Sequence, residues 1–391
     1  MKIIYALEAF FPHLSGVTIV TNRLATYFGR LKDCKVWVIT TSDDHTFKTE
    51  KSHRGYTIIR LPAWSNPIRK GFKVSYLATP YIKKILVEIE PDIIHLQDPG
   101  FVSQALAREA KKKKIPIIIS QHSNLSFPAA FLPKCLRKWV AKIYGGYLVN
   151  FLNRYCQLIL TPTETMKKDI LSWGVKRPVT VISNGINLRI FKPGRPNNDF
   201  LDTYHLRPFL SQPIVLYSGR LDKDKNLTTL LKAIPLVLKS LNCYFIFLGK
   251  GELQPELEKQ INEWGLNQWV KFIGPVKPND RALPEFYQLA SLFVMPSAIE
   301  AQSLVTMEAM ACGLPIVASR SGALPELVKD KENGLLVDPY NPEAFSQAII
   351  YLLRNEAERK KMAEKSLEFI KDHDLKVVLR KLADIYEKIV S

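Results

Sequence analysis

The chain has 391 residues, of which 47% are hydrophobic and 24% charged. That length suits two or three domains with real cores, and that composition excludes disorder, collagen-like repeats and coiled coil. No uncharged apolar run is long enough for a spanning helix. The net charge of +18 is unevenly placed: residues 1–200 hold 31 Lys and Arg against 13 Asp and Glu, while 201–391 hold 24 of each. The first half is therefore expected to face something anionic, such as a membrane surface, a nucleic acid or an acidic substrate.

In chain order, MKIIYALEAFFPHLSG opens the sequence. Its apolar run is short and soon interrupted by Glu8 and Pro12, so it reads as a buried strand, not a leader. Ser15-Gly16-Val17 follows before a helix over Val20–Leu31, and a glycine there lets backbone approach a phosphate closely. KVWVIT, YTIIRLP, DIIHLQD, IPIIIS and QLILTP are further short apolar runs, with a helix expected over Phe101–Lys112. His95 and Asp98 stand at one strand end, and His122 directly follows another. The five cysteines (34, 135, 156, 243 and 312) are scattered without a CxxC pair. Neither a disulfide framework nor a zinc site is expected, and a reducing cytoplasm fits.

A stretch rich in Pro, Asn and charge over Ile186–Ser211 marks the domain boundary. Beyond it PIVLYSG, CYFIFLG, VKFIG, SLFVMP, PIVAS and GLLVD repeat the strand–helix alternation. Near-continuous apolar strands alternating with helices predict parallel sheets covered on both faces. The expectation is an α/β chain with two Rossmann-like doubly wound domains, residues 1–190 and 191–370, facing each other across a cleft. A C-terminal helix over 371–391, with an apolar stripe of Leu375, Val378, Leu379, Leu382, Ile385 and Ile389, is expected to dock on its own domain or to cross back onto the first.

Three motifs carry chemistry. In YSGRLDKDKN, a strand ends at Ser218, Gly219 follows it, and Arg220 and Lys225 put two cations in the next turn, which suits a diphosphate. Asp222-x-Asp224 in that turn could hold a metal but reads better as solvated. In MPSAIEAQSLVTMEAMACGLPIVAS, Glu300 lies in a loop and Glu308 in the helix that starts near Ser303. The amides of Ser303, Leu304 and Val305 are then first-turn donors able to meet a phosphate. FLGKGE lacks the third glycine of a dinucleotide fingerprint, and no P-loop occurs.

In this order, SGV, PDIIHLQDP, the histidine after the fifth strand, VISNGIN, SGRLDKDKN, FLGKGE, E-x7-E with AMACGLPIVAS, and NGLLVDP resemble the GT-B glycosyltransferases of family 4 (glycosyl transferases group 1) over nearly the whole chain. The resemblance implies a retaining hexosyltransferase using a nucleotide-diphosphate sugar, UDP- or GDP-linked, by front-face return without an essential metal. It implies that Arg220 and Lys225 stabilise the departing diphosphate, Glu308 binds ribose and Glu300 holds the donor sugar. Ser303 to Val305 would meet sugar and phosphates, Val276 would line the base pocket, Gly16 would approach the diphosphate and His122 the transferred sugar. Family members commonly carry Glu-Gly-Phe-Gly where this chain has Glu300-Ala301-Gln302-Ser303. Gln302 and Ser303 are thus expected to add polar atoms beside the sugar.

The basic half is the acceptor domain of that family. Residues 127–156 set Lys134, Lys138 and Lys142 at i, i+4 spacing with Arg137 and Trp139 between them, which suits the plane of an anionic bilayer. WSNPIRKGFK (64–73) and KKKK (111–114) are further basic candidates. The expected partners are a nucleotide sugar, a lipid or glycan acceptor and an anionic membrane surface, not a nucleic acid. The enzyme would sit peripherally on the inner face of the cell membrane, with diacylglycerol or a phosphoinositide as acceptor. A soluble sugar-to-sugar transferase and a non-enzymatic nucleotide-sugar-binding protein stay open as alternatives.

Overall fold

The computed structural model describes residues 1–13, 15–66, 73–123, 134–276 and 280–391, the side chains of 134–138 excepted. It divides into two compact units, Met1–Ser183 with Val378–Ser391, and Asn184–Val377.

The first unit carries β1 (Lys2–Ala6), β2 (Lys35–Thr41), β3 (Lys48–Lys51), β4 (Thr57–Leu61), the short pair β5 (Trp64–Ser65) and β6 (Lys73–Val74), β7 (Ile93–Leu96), β8 (Ile117–Ser120), β9 (Leu158–Thr161) and β10 (Val179–Val181). Its helices are α1 (Gly16–Gly29), α2 (Ala78–Ile89), α3 (Phe101–Lys112), α4 (Lys134–Tyr155) and α5 (Glu164–Ser172). The main sheet runs β10-β9-β8-β7-β1-β2-β4-β3, parallel except where β3 meets β4. Helix α1 starts four residues before the expected Val20, because Ser15 caps it by accepting from the Thr18 amide at 3.2 Å.

The second unit holds α6 (Asn198–Thr203), β11 (Ile214–Ser218), α7 (Leu227–Leu238), β12 (Tyr244–Leu248), α8 (Gln254–Glu263), β13 (Val270–Ile273), α9 (Ala282–Leu289) and β14 (Leu292–Met295). It continues through α10 (Leu304–Ala311), β15 (Ile316–Ser319), α11 (Leu324–Leu327), β16 (Gly334–Val337), α12 (Pro342–Arg354), α13 (Glu356–Phe369) and the start of α14 (Leu375–Val390). The strand order β13-β12-β11-β14-β15-β16 is fully parallel, and every residue of β11, β14 and β15 is buried. Such strands need apolar side chains on both faces, which is why they read as continuous Ile, Val, Leu and Phe.

The boundary falls after Ser183, not after residue 190. Ile186 already bonds to the second unit's far end, its amide to the His373 carbonyl at 2.8 Å and its carbonyl to the Leu375 amide at 2.9 Å. The stretch read as the boundary contains α6, whose Phe200 and Leu201 join the second core. At the other end, Val378–Ser391 belongs to the first unit, as a helix crossing back would, although the crossing starts at Val378 and not at residue 371. Its buried residues are Val378, Leu379, Leu382 and Tyr386, whereas Ile385 and Ile389 are half-buried.

Candidate active site

In each sheet the strand order reverses at one place, and open parallel sheets bind ligands beyond their carboxyl ends at that switch point. In the second unit it lies between β11 and β14. The loop after β11 carries Gly219, Arg220 and Lys225, and the loop after β14 carries Glu300, Gln302 and Ser303. The fold thus converges residues 80 positions apart in sequence, because two neighbouring strands end side by side.

The first loop is built by glycines and a tyrosine. Gly219 has φ +145°, and the Tyr217 hydroxyl donates to the Arg220 carbonyl at 2.7 Å. A Cβ on Gly251 would stand 2.3 Å from the Leu221 carbonyl, so FLGKGE supplies close backbone packing behind the loop. The loop ends in one 3₁₀ turn, Lys223–Lys225, closed by Asn226 in the left-handed region. Asn226 then donates to the Pro296 carbonyl at 3.1 Å and to the Pro339 carbonyl, bracing three strand ends.

The cations are not free. Arg220 pairs with both Asp222 and Asp224, the latter at 2.8 Å, so the D-x-D is held by the guanidinium rather than simply solvated. Lys225 Nζ lies 2.7 Å from Glu300 Oε1 and 3.6 Å from Asp224. Burial alone pulls the Lys225 ammonium down, but the Glu300 and Asp224 carboxylates outweigh it and leave its pKa above the ordinary lysine value. Two cations and three carboxylates therefore form one cluster. Among the described residues no group of three or more His, Cys, Asp or Glu is arranged to hold a metal ion.

Glu300 is fixed by its neighbours: Gly322 has φ +56°, its Cβ position lies 2.8 Å from the Glu300 backbone, and the Ala323 amide donates to the Glu300 carbonyl at 2.9 Å. The two residues expected to offer polar atoms to a sugar are engaged within the unit. Gln302 Oε1 accepts from the Asn184 amide at 2.8 Å, and Ser303 caps α10 by accepting from the Thr306 amide at 3.3 Å. The Leu304 and Val305 amides are the first-turn donors with no carbonyl one helical turn back. Glu308 is buried and receives the Tyr287 hydroxyl at 2.7 Å; burial first, and Glu308 second, push that phenol well above its ordinary pKa. Val276 is half-buried after β13. The roles of Asn226, Tyr217 and Gly322, which brace loops, and of Tyr287, which holds Glu308 from a neighbouring helix, escaped the sequence reading.

In the first unit the switch point lies between β1 and β7. Gly16 opens α1 and is exposed. His122 Nε2 stands 3.2 Å from Gln97 Oε1, which leaves the buried Gln97 Nε2 without a partner. Glu8 and Asp98 meet at the start of α3. Asp98 accepts from the Glu8 amide at 2.6 Å and the Gly100 amide at 2.8 Å, while Glu8 Oε2 accepts from the Val102 amide at 3.2 Å. A Cβ on Gly100 would lie 2.3 Å from Glu8 Oε2 and 2.8 Å from Asp98 Oδ1, so a side chain there would have to shift both carboxylates.

Of the expected membrane contacts, the side chains of Lys134, Arg137 and Lys138 lie outside the described residues, as do positions 67–72 of the second basic segment. Trp139 is 66% exposed and Lys142 is exposed, and Ile143 and Tyr147 continue the exposed side of α4 at four-residue spacing. Leu148, Phe151 and Leu152 face the core instead. Among the described residues no helix is long and apolar enough to cross a membrane.

Two family models match the chain: Glycosyltransferase Family 4 over residues 14–190 and Glycosyl transferases group 1 over 205–369. The alpha-monoglucosyldiacylglycerol synthase of Acholeplasma laidlawii is 25% identical over 363 residues, covering 91% of this chain and 89% of that protein. The enzyme of the same description from Streptococcus pneumoniae is 27% identical, covering 90% and 78%. Among solved structures, HepE of Anabaena in complex with UDP and glucose superposes with a TM-score of 0.79 at 20% identity, covering 99% of this chain and 100% of that one. With both halves matched in order and the fold shared along its length, the chain belongs to the GT-B glycosyltransferases, family 4 in its first half and group 1 in its second.

Proposed function

We propose that the protein is a retaining hexosyltransferase that moves a sugar from a UDP- or GDP-hexose to a hydroxyl of a membrane lipid. The observation that carries the donor half is the Arg220–Lys225–Glu300 cluster at the second switch point, beside the first turn of α10. In this reading the helix start and the two cations meet the diphosphate, and Glu300 orients the sugar while Lys225 ties it to the leaving group. Glu308 takes the ribose and Val276 lines the base. The sugar C1–O bond to phosphate breaks, and the new C1–O bond forms on the same face. The acceptor hydroxyl's proton goes to the departing phosphate oxygen. Charge on that oxygen is met by Arg220 and Lys225, so no metal is needed in this scheme.

The lipid half rests on the basic first unit, the exposed Trp139, Lys142, Ile143 and Tyr147 of α4, and the likeness to the two diacylglycerol-glucosylating synthases above. Binding is then peripheral, on an anionic inner surface. The test is transfer from a panel of UDP- and GDP-hexoses to vesicles containing diacylglycerol or phosphatidylinositol, with the product anomer read by NMR. Retained configuration and transfer to lipid are expected, with vesicle sedimentation weakened in Trp139→Ala/Ile143→Ala. Transfer to soluble sugars alone would replace the lipid acceptor, and an inverted anomer would overturn the mechanism.

A further inference from the structure

The first unit carries a concavity of about 520 Å3 that the glycosyl-transfer scheme does not use. Arg108, Glu109, Lys111 and Lys112 of α3 line it together with Arg154 and Tyr155 at the end of α4. Part of this charge has a local explanation. Cations are favoured at helix C-termini, Lys111 Nζ donates to the Arg154 carbonyl at 2.9 Å, and Lys112 pairs with Glu109 at 2.7 Å. That accounts for Lys111, Lys112 and Arg154 as residues. It does not account for Arg108, a turn earlier, or for the hollow that all four cations share.

Arg108 and Arg154 form no ion pair among the described residues. Four exposed cations around one hollow with a single carboxylate present a net positive surface that an anion between them would complement. Guanidinium groups present paired donors matched to phosphate oxygens. The Tyr155 ring supplies a flat wall, with Lys111 Nζ 5.4 Å and the Arg154 guanidinium carbon 5.5 Å from its centroid. Arg177 adds a further cation nearby, its Nε 2.8 Å from the Asn153 carbonyl. The volume lies within the range of small-molecule sites of roughly 300–1,000 Å3, enough for a phosphate with its ester substituent.

We propose that this concavity binds a phosphate ester. The ester is either a free small molecule or the headgroup of an anionic phospholipid. The experiment compares the wild-type chain, Arg108→Glu/Arg154→Glu, and Arg30→Glu/Lys32→Glu, which reverses two exposed charges elsewhere on the same unit. Each is titrated with sn-glycerol 3-phosphate and, separately, sedimented with phosphatidylglycerol or phosphatidylcholine vesicles at one fixed ionic strength. Circular dichroism and thermal melting establish that all three are folded. At least a tenfold loss of affinity in the pocket variant alone, for glycerol 3-phosphate, assigns a free ester. The same loss seen only with phosphatidylglycerol vesicles assigns a headgroup. Equal losses in the two variants, or no binding by the wild type to either probe, overturn the proposal, because the charge then acts diffusely or not at all.

Discussion

Lys225 Nζ donates to Glu300 Oε1 across 2.7 Å, joining the loop after β11 to the loop after β14. The Lys225 and Glu300 side chains are 17% and 10% exposed, so the pair is mostly, though not wholly, removed from water. Removing one partner of such a pair strands the other charge, at about 3–5 kcal/mol. Lys225→Ala is expected to cost that much, and Lys225→Ala/Glu300→Ala less than the sum of its single variants, by about 1–3 kcal/mol. Urea unfolding of the four proteins measures this, and additive costs would show that the pair is not energetically joined. Because the folded pKa of Lys225 is raised, its contribution is complete below the unfolded lysine pKa, about 10.4, and is lost only as pH rises through the folded value. Glucosyl or other hexosyl transfer should fall by at least about 100-fold in each single variant.

Gly251 sets a second test that leaves every charge in place. Its Cβ would meet the Leu221 carbonyl at 2.3 Å and Asp222 Oδ1 at 2.4 Å. Backbone cannot move aside as a flexible side chain would, so Gly251→Ala should displace the turn that presents Arg220. The expected result is a loss of about 1–3 kcal/mol in stability together with a fall in transfer of ten-fold or more, on the order of what a 1 Å misplacement costs. Unchanged turnover with unchanged donor KM would mean that the loop does not hold the donor.

Strands were legible because burial on both faces leaves little else for β11 (IVLYS) or β14 (LFVM) to be. That Arg220, Lys225 and Glu300 come together was legible because each follows the carboxyl end of a strand beside the switch point. Asp222 and Asp224 read from the sequence as metal-holding or solvated, and the pairing with Arg220 that the 3₁₀ turn brings about was not foreseen. Contacts made over long sequence separations left no local signal. Tyr386 falls outside the aliphatic stripe of α14, and Glu8 and Asp98 are 90 residues apart.

Tyr386 closes a buried polar chain. Its hydroxyl lies 3.0 Å from the Tyr5 hydroxyl and 2.5 Å from His95 Nδ1, and His95 Nε2 lies 2.8 Å from Ser120 Oγ. Burial first, and His122 second, lower the His95 pKa to about 3, so the ring is neutral and can accept on one nitrogen while donating on the other. Tyr386→Phe keeps the ring and removes only the hydroxyl, leaving Tyr5 and His95 unsatisfied in a dry core, at about 1–3 kcal/mol. Tyr5→Phe/Tyr386→Phe should recover part of that loss. If Tyr386→Phe unfolds at the wild-type urea midpoint, the chain of hydroxyls contributes nothing.

Glu8 gives a pH dependence of known sign. Burial first, and the neighbouring Asp98 second, raise its carboxyl to about 8, against the Val102, Ser75 and Phe101 amides that favour the anion. A carboxyl with a raised folded pKa stabilises the fold below its unfolded value, near 4.3, and that stability is lost as pH climbs through the folded pKa. Over this window the slope approaches about 1.4 kcal/mol per pH unit. Glu8→Gln removes the titration while keeping one oxygen for the α3 amides. The difference in unfolding free energy between variant and wild type should therefore shift in the variant's favour from pH 5 to pH 8 and then level off. Parallel stability curves across that range would show that Glu8 is already ionised at pH 5, with the amides at the start of α3 outweighing burial and Asp98.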